Sequence, residues 1–196
     1  MTNINEQYPD RAGLITASKC KDFMTKGRGE PFGETAKTYA AELVLAEMGY
    51  NPESFTTWQM EHGIENEPNA REIYEKSRGV ICDLPGFIKM DGLNVGCTPD
   101  GMVGEDGLLE IKCPQPPAHT KYLLNGPPKE YIQQMQFQMM VTGAIWCDFM
   151  TFHPDFPEGL QAKVFRIDRD QDYIDLIKSR IIPFNELMAE IRAGLG

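Results

Sequence analysis

One pairing constrains this chain more than any other feature: the turn Thr98-Pro99-Asp100-Gly101, followed shortly by the apolar-flanked run Leu108-Leu109-Glu110-Ile111-Lys112. The Pro-Asp-Gly sequence favours a tight reversal and places one carboxylate on it. A hairpin-like connection containing Gly104 and Gly107 leads into the second run, which reads as a strand. Side chains alternate along a strand, so Glu110 and Lys112 share one face while Leu109 and Ile111 take the other. Two carboxylates and an ammonium then meet at one strand edge. Such a set can hold Mg²⁺ through oxygen ligands, acidify a water and steady phosphate charge, which are the requirements of metal-assisted phosphodiester cleavage. Pro-Asp-Gly is also an ordinary turn, and Glu-x-Lys an ordinary solvated face. Here the flanking Leu109, Ile111 and Cys113 set the charges beside a core, where charges are normally paired or metal-bound.

At 196 residues, one domain spanning 1–196 is expected, with enough chain to bury a full core. Hydrophobic residues at 41% and charged ones at 24% fit a soluble globular protein. No apolar run approaches the roughly 20 residues of a membrane span. The N-terminus lacks the basic and apolar regions of a signal peptide. Five cysteines without a CxxC pair argue for reduced thiols, so a cytoplasmic location is expected. Cys113, beside Lys112, is a nominal nucleophile without a sequence-local base and reads as a small buried hydrophobe.

The formal net charge of −10 opposes nucleic-acid binding on average. What guides DNA is the local field, and bound Mg²⁺ offsets part of the site acid. Lys19, Lys21, Lys26 and Arg28 form a basic patch, whereas much of the acid lies between Glu30 and Glu75 and from Asp168 onward. Binding is therefore expected to depend strongly on salt and metal.

Hydrophobic periodicity sketches the elements. Residues 1–13 look irregular, and Thr16 or Ser18 can cap a helix over Ala17 to Met24. Glu34 to Met48 reads as a helix stopped by Gly49, and Thr57 to Gly79 as a longer one interrupted near Gly63 and Pro68. Val80 to Asp91, Leu93 to Cys97 and Leu108 to Cys113 read as strands. A helix over Tyr131 to Gly143 turns Met135, Met139 and Val141 inward. Strands follow at Cys147 to His153 and Lys163 to Asp168. Tyr173 to Leu195 reads as a closing helix that Pro183 kinks. The pattern is α/β (α+β), with helices on a central mixed β-sheet.

The Pro-Asp…Glu-x-Lys pattern resembles the PD-(D/E)XK nuclease superfamily. The wider chain resembles one branch of it, the phage alkaline exonucleases of the lambda exonuclease, YqaJ-type viral recombinase, family. Four stretches carry the likeness, in the family's order: Arg11-Ala12-Gly13-Leu14-Ile15-Thr16-Ala17-Ser18, Gly63 through Arg71, the core with its Cys113-Pro114 tail, and Tyr131-Ile132-Gln133-Gln134-Met135-Gln136. The resemblance implies a restriction-endonuclease-like core. It also implies Mg²⁺-dependent digestion of double-stranded DNA ends from the 5′ side, releasing mononucleotides and leaving a 3′ single strand for phage-type recombination. Two Mg²⁺ ions are expected, with Mn²⁺ as a substitute. A homotrimeric ring and a single-strand annealing recombinase as partner are implied too, in a bacterial host and on a phage or prophage gene.

The same resemblance assigns roles. Asp100 and Glu110 are the metal ligands, joined by the backbone carbonyl of Ile111, and Lys112 orients the nucleophile. Glu67, by itself one acid on a solvated helix face, falls on the family's acidic helix position, which orders water beside the other two acids. His62 nearby is either an extra ligand or a surface residue. Gln134 matches a glutamine that positions the water or phosphate. Gln136 and Gln138 compete for that role, but 134 and 138 share a helix face and 136 does not. Tyr131, one turn earlier, either packs under the site or is an ordinary core-edge tyrosine. Arg11 and Ser18 match the positions that grip the 5′-phosphate, and Thr98 adds a donor; an arginine fork and hydroxyls suit phosphate oxygens. One departure stands out. Where the family has a basic residue soon after Cys-Pro, this chain reads Gln115-Pro116-Pro117-Ala118-His119, leaving His119 or Lys121 to substitute. The alternatives on this fold are a restriction or repair endonuclease and a non-catalytic DNA-end-binding protein.

Overall fold

The computed structural model describes residues 11–50 and 58–196. Residues 1–10 of the expected irregular start, and Thr57 at the expected helix start, lie outside them. The strands sort into two mixed sheets rather than one. The larger has the order β2 (Cys82–Asp83), β5 (Gly101–Val103), β6 (Gly107–Lys112), β7 (Trp146–Phe152), β8 (Ala162–Asp168). The smaller has the order β1 (Ile15–Thr16), β4 (Val95–Cys97), β3 (Ile88–Lys89). The stretch expected as one strand from Val80 to Asp91 is split between them, because Pro85 and Gly86, with φ +71° at the glycine, turn the chain between β2 and β3.

In the larger sheet β6 and β7 run parallel, with Glu110 opposite Phe149 and Lys112 opposite Thr151. Parallel neighbours need a crossover. Helices α4 (Pro116–Asn125) and α5 (Lys129–Thr142) form it. The sequence reading missed α4. Pro116 and Pro117 look like a break, yet proline suits the first helical turn, where no N–H partner is needed.

Strand alternation in β6 decides the layering. Leu109 and Ile111 pack with Ala70 and Tyr74 of α3 (Trp58–Arg78) and with Met150 and Phe152. Leu108 faces the other core, with Met135, Cys147 and Phe149 and residues of α1 (Cys20–Phe23), α2 (Glu34–Glu47) and α6 (Gln171–Leu195). Ala17–Lys19 is a 3-10 turn ahead of α1, and neither Thr16 nor Ser18 caps through its side chain. Pro68 and Pro183 break neither α3 nor α6. Both sit on exposed faces, and an interior proline's cost of about 3 kcal/mol is offset by the buried stripe opposite. In α6 that stripe is Ile174, Ile177, Ile181 and Phe184.

Gly107 allows the closest approach in the sheet. A Cβ there would lie 2.0 Å from the Trp146 ring. That ring carries the Arg166 guanidinium at 3.6 Å, and Arg166 in turn donates to the buried Asp148 carboxylate, which also accepts from Tyr74 Oη at 2.8 Å.

The three histidines of the chain lie together. His153 sits 5.4 Å from His62 and 5.9 Å from His119, ring centre to ring centre. His119 is fully buried: its Nε2 lies 2.9 Å from the Leu160 carbonyl and its Nδ1 2.8 Å from Thr151 Oγ1. The carbonyl can only accept, so Nε2 carries a proton, and the Thr151 hydroxyl can donate to Nδ1 of the neutral ring. Burial favours that neutral form by holding the ring's pKa below the usual value. His119 is therefore a core brace between α4 and the β7–β8 connection. It does not replace the family's basic phosphate ligand, and Lys121 is exposed and absent from the walls of the cleft described below. A depressed histidine stabilises the fold fully above its unfolded pKa of about 6.5, and the contribution drains as pH falls through that value. In thermal melts the loss of Tm between about pH 7.5 and about pH 5.5 is expected to be smaller for His119→Gln than for the parent protein.

Candidate active site

The larger sheet opens where β5 begins, at Gly101. β5 pairs with β6 only from Gly107 to Leu109, so beyond Leu109 that edge of β6 has no strand partner among the described residues. The Asp100 carboxylate takes the place of one: its Oδ2 accepts the Ile111 N–H at 2.6 Å. A strand residue points its N–H and C=O to the same edge in an antiparallel ladder, which leaves the Ile111 carbonyl at the opening.

Glu110 projects from the other side of the strand into nearly complete burial, 1% exposed. Three donors close on it. Gln134 Nε2 donates to Oε1 at 2.7 Å, Gln138 Nε2 donates to Oε2 at 2.7 Å, and Lys112 Nζ pairs with Oε1. Lys112 also stands 5.0 Å over the Tyr131 ring, so that tyrosine does pack under the site. The helical spacing of 134 and 138 brings both amides to Glu110. Gln136 faces away, donating to the Asp168 carbonyl at 2.8 Å and accepting the Asp170 N–H at 2.9 Å.

These groups line a cleft of about 440 Å³ together with Arg11, Thr16, Ser18, Glu67, Arg71 and Thr98. Asp100, Glu110, Lys112, Glu67, Gln134, Arg11, Ser18 and Thr98 thus share one cleft, and Ile111 lines the hollow beside it. Arg11 reaches Ser18 Oγ at 3.5 Å, and Ser18 Oγ lies 3.4 Å from Thr16 Oγ1. A second hollow of about 690 Å³ meets the first at Glu67, Asp100 and Lys112, with Ile64, Ala118, Tyr122 and Tyr131 on its apolar wall. His62 lines neither; it packs against Trp58 and His153.

Arg71 has a place that the sequence reading did not give it. It is 15% exposed in its side chain, pairs with Glu67 and donates from Nε to the Asp100 carbonyl at 3.0 Å. One guanidinium thus ties helix α3 to the Asp100 turn and holds Glu67 beside it. The spacing of Glu67 and Arg71, one helical turn apart, signals the ion pair. The bond to Asp100 is tertiary and has no sequence signal.

The electrostatics are strongly unbalanced. Burial, and next the charge of Glu110, push the Asp100 carboxyl well above the usual carboxylate range, with Lys112 and the Ile111 N–H acting against them. Burial alone would lower the Lys112 ammonium, but the charges of Glu110 and Asp100 more than offset it and hold it above its ordinary value. Cys113 is no nucleophile: burial, with the charges of Glu67 and Asp100, pushes its thiol up to about 12.

A divalent cation suits this donor set. Among the described residues, the buried Glu110 and the half-buried Asp100 face a single lysine, a carbonyl stands free of the ladder, and two buried oxygens on the cleft wall, Thr98 Oγ1 and Gln138 Oε1, have no hydrogen-bond partner. Among those residues no three His, Cys, Asp or Glu side chains gather closely enough to hold an ion, and Glu67 is paired with Arg71. The set is two carboxylates and a carbonyl.

Known proteins share this fold. The YqaJ-like viral recombinase domain matches residues 8–145. The fold aligns with the crystal structure of an alkaline exonuclease, LHK-Exo, from Laribacter hongkongensis at TM-score 0.87 and 38% identity, covering 96% of this chain and 95% of the other. A structure of LHK-Exo in complex with dAMP aligns at TM-score 0.86 and 37% identity, covering 96% and 95%. A phage-related exonuclease from Haemophilus somnus 129PT shares the fold at TM-score 0.76 and 16% identity, covering 99% and 100%. No curated protein sequence matches the chain. The chain belongs to the YqaJ-like viral recombinase family.

If Glu110 charge helps raise Asp100, Glu110→Gln brings the Asp100 carboxyl down toward the ordinary range. Carboxyl ¹³C NMR titration in EDTA is expected to show a downward shift, against no change if burial acts alone.

Proposed function

We propose that this chain is a metal-dependent exodeoxyribonuclease that degrades one strand of double-stranded DNA from its 5′ end, releasing mononucleotides and leaving a 3′ single strand for phage-type recombination. The observation that carries the reading is the meeting of Asp100, Glu110 and Lys112 in one cleft whose wall also holds Arg11, Ser18 and Thr98. The 38% identity to an alkaline exonuclease across nearly the whole chain supports it.

Asp100, Glu110 and the Ile111 carbonyl would hold the cation, with Mg²⁺ as the expected species, two ions at work and Mn²⁺ able to substitute. When bound, it supplies positive charge against the phosphate and acidifies a water. The protein's own groups do the positioning. Lys112, kept protonated by the acids around it, presents an N–H to the attacking water or the phosphate. Glu67 orients water, and Arg71 sets the direction in which Glu67 points. Gln134 holds Glu110 and reaches the phosphate side of the cleft. Arg11, Ser18 and Thr98 receive the terminal 5′-phosphate through a guanidinium and two hydroxyls, the charge-assisted pattern that phosphate favours.

The proposal includes a homotrimeric ring around the DNA, a single-strand annealing recombinase as partner, and work in the cytoplasm of a phage-infected or lysogenic bacterium. Family membership supports these parts. No helix of the described residues is long and apolar enough to cross a membrane.

The test uses linear duplex labelled at one 5′ end, with and without a 5′-phosphate, beside a covalently closed circle, in Mg²⁺ and then EDTA. Early release of labelled mononucleotide from the phosphorylated duplex, an intact circle and silence in EDTA are expected. Cutting of the circle would indicate an endonuclease, and no cleavage under any condition an end-binding scaffold. Asp100→Asn and Lys112→Ala are each expected to lower turnover by more than about a hundredfold, with Tm held within a few degrees. Wild-type turnover in either would overturn the site.

A further inference from the structure

The second glutamine on Glu110 has no assigned task, and its surroundings define one. Gln138 is 1% exposed and lines the cleft. Its Nε2 donates to Glu110 Oε2 at 2.7 Å, while its Oε1 is buried without a partner among the described residues. Turning the amide over would set oxygen against oxygen, so the N–H must face Glu110 and the carbonyl must be the group left over. A buried acceptor without a donor costs about 1–3 kcal/mol, which a ligand that brings a donor would relieve.

Counting the lone pairs of Glu110 narrows what that ligand is. A carboxylate offers about four acceptor positions, two on each oxygen. Lys112 and Gln134 both occupy Oε1, and Gln138 takes one position on Oε2. Among the described residues, Oε2 alone keeps a free position, and the Gln138 amide sets where it points. A hydrated divalent cation would satisfy both groups: Glu110 Oε2 would hold the ion, and the Gln138 carbonyl would accept from a water of its hydration shell.

We infer that Gln138 is a positioning residue that makes Glu110 Oε2 the cation-binding atom and offers its own carbonyl oxygen to the ion's hydration shell. The inference rests on the reading of Glu110 as a cation ligand. Gln134 and Gln138 thus divide the work. Gln134 faces Oε1 beside Lys112, and Gln138 faces Oε2 and the ion.

Mn²⁺ binding to the metal-free protein, without DNA, tests this by loss of the free-ion electron paramagnetic resonance signal. Gln138→Met keeps the volume and removes both polar atoms. It is expected to bind Mn²⁺ about tenfold or more weakly, with Tm close to the parent's. Nuclease activity in that variant should recover as Mg²⁺ is raised, which a purely structural defect would not allow. Equal Mn²⁺ affinity in parent and Gln138→Met, with Glu110→Gln still abolishing binding, would overturn the inference and leave the metal reading standing. No Mn²⁺ binding by the parent, or full binding by Glu110→Gln, would overturn the metal reading and this inference with it. Should Gln138→Met fail to fold, Gln138→Asn keeps an amide too short to reach Glu110. The same weakening is expected there, and unchanged affinity overturns the inference.

Discussion

The hydrogen bond from the Ile111 N–H to Asp100 Oδ2, at 2.6 Å, is the contact on which the rest of the site depends. It stands where a strand would otherwise continue. A central strand with an unpaired edge is costly to bury, because each backbone group removed from water needs a partner. Here the chain turns away at Pro99-Asp100 and returns a side-chain oxygen in place of a backbone one. The sheet stays satisfied, a carboxylate is pinned against the strand, and the neighbouring carbonyl is left facing the gap. Fold and site thus share one solution to one hydrogen-bonding problem.

Charge completes the arrangement. Glu110 is buried on the same strand and is tolerable there only because Lys112, Gln134 and Gln138 surround it. Among the described residues Asp100 has less support, the Ile111 N–H, and its carboxyl is driven upward by burial and by Glu110. Arg71 spends its charge on Glu67 and its Nε on the Asp100 backbone, so it steadies the turn without neutralising the acid in it. The described groups thus leave negative charge uncompensated at the point where a divalent cation would sit. A chain with net charge −10 can still address DNA if that charge is answered locally, by a cation and by Arg11 at the cleft wall.

The legible parts of the sequence were those set by local periodicity. Strand alternation placed Glu110 and Lys112 together and Leu109 and Ile111 in the opposite core. Helical spacing picked the face shared by Gln134 and Gln138 and excluded Gln136. The parts that stayed hidden depend on contacts between distant segments. Arg71 reaches the Asp100 backbone only once α3 lies on β6, and His119 turns inward because Thr151 and Leu160 wait there. The proline pair that opens α4 carries no clear signal, since the same residue that ends one helix begins another. The sheet order could not be read because two-residue strands such as β2 and β3 carry too little pattern to choose a partner.

The central claim is that the gap beside β6 is a divalent-cation site. Anomalous diffraction from crystals grown with Mn²⁺ addresses it without reference to turnover. The account expects a peak within about 2.0–2.3 Å of oxygens from Asp100, Glu110 and the Ile111 carbonyl. No peak there, or a peak only at another cluster such as the histidines around His153, would contradict it.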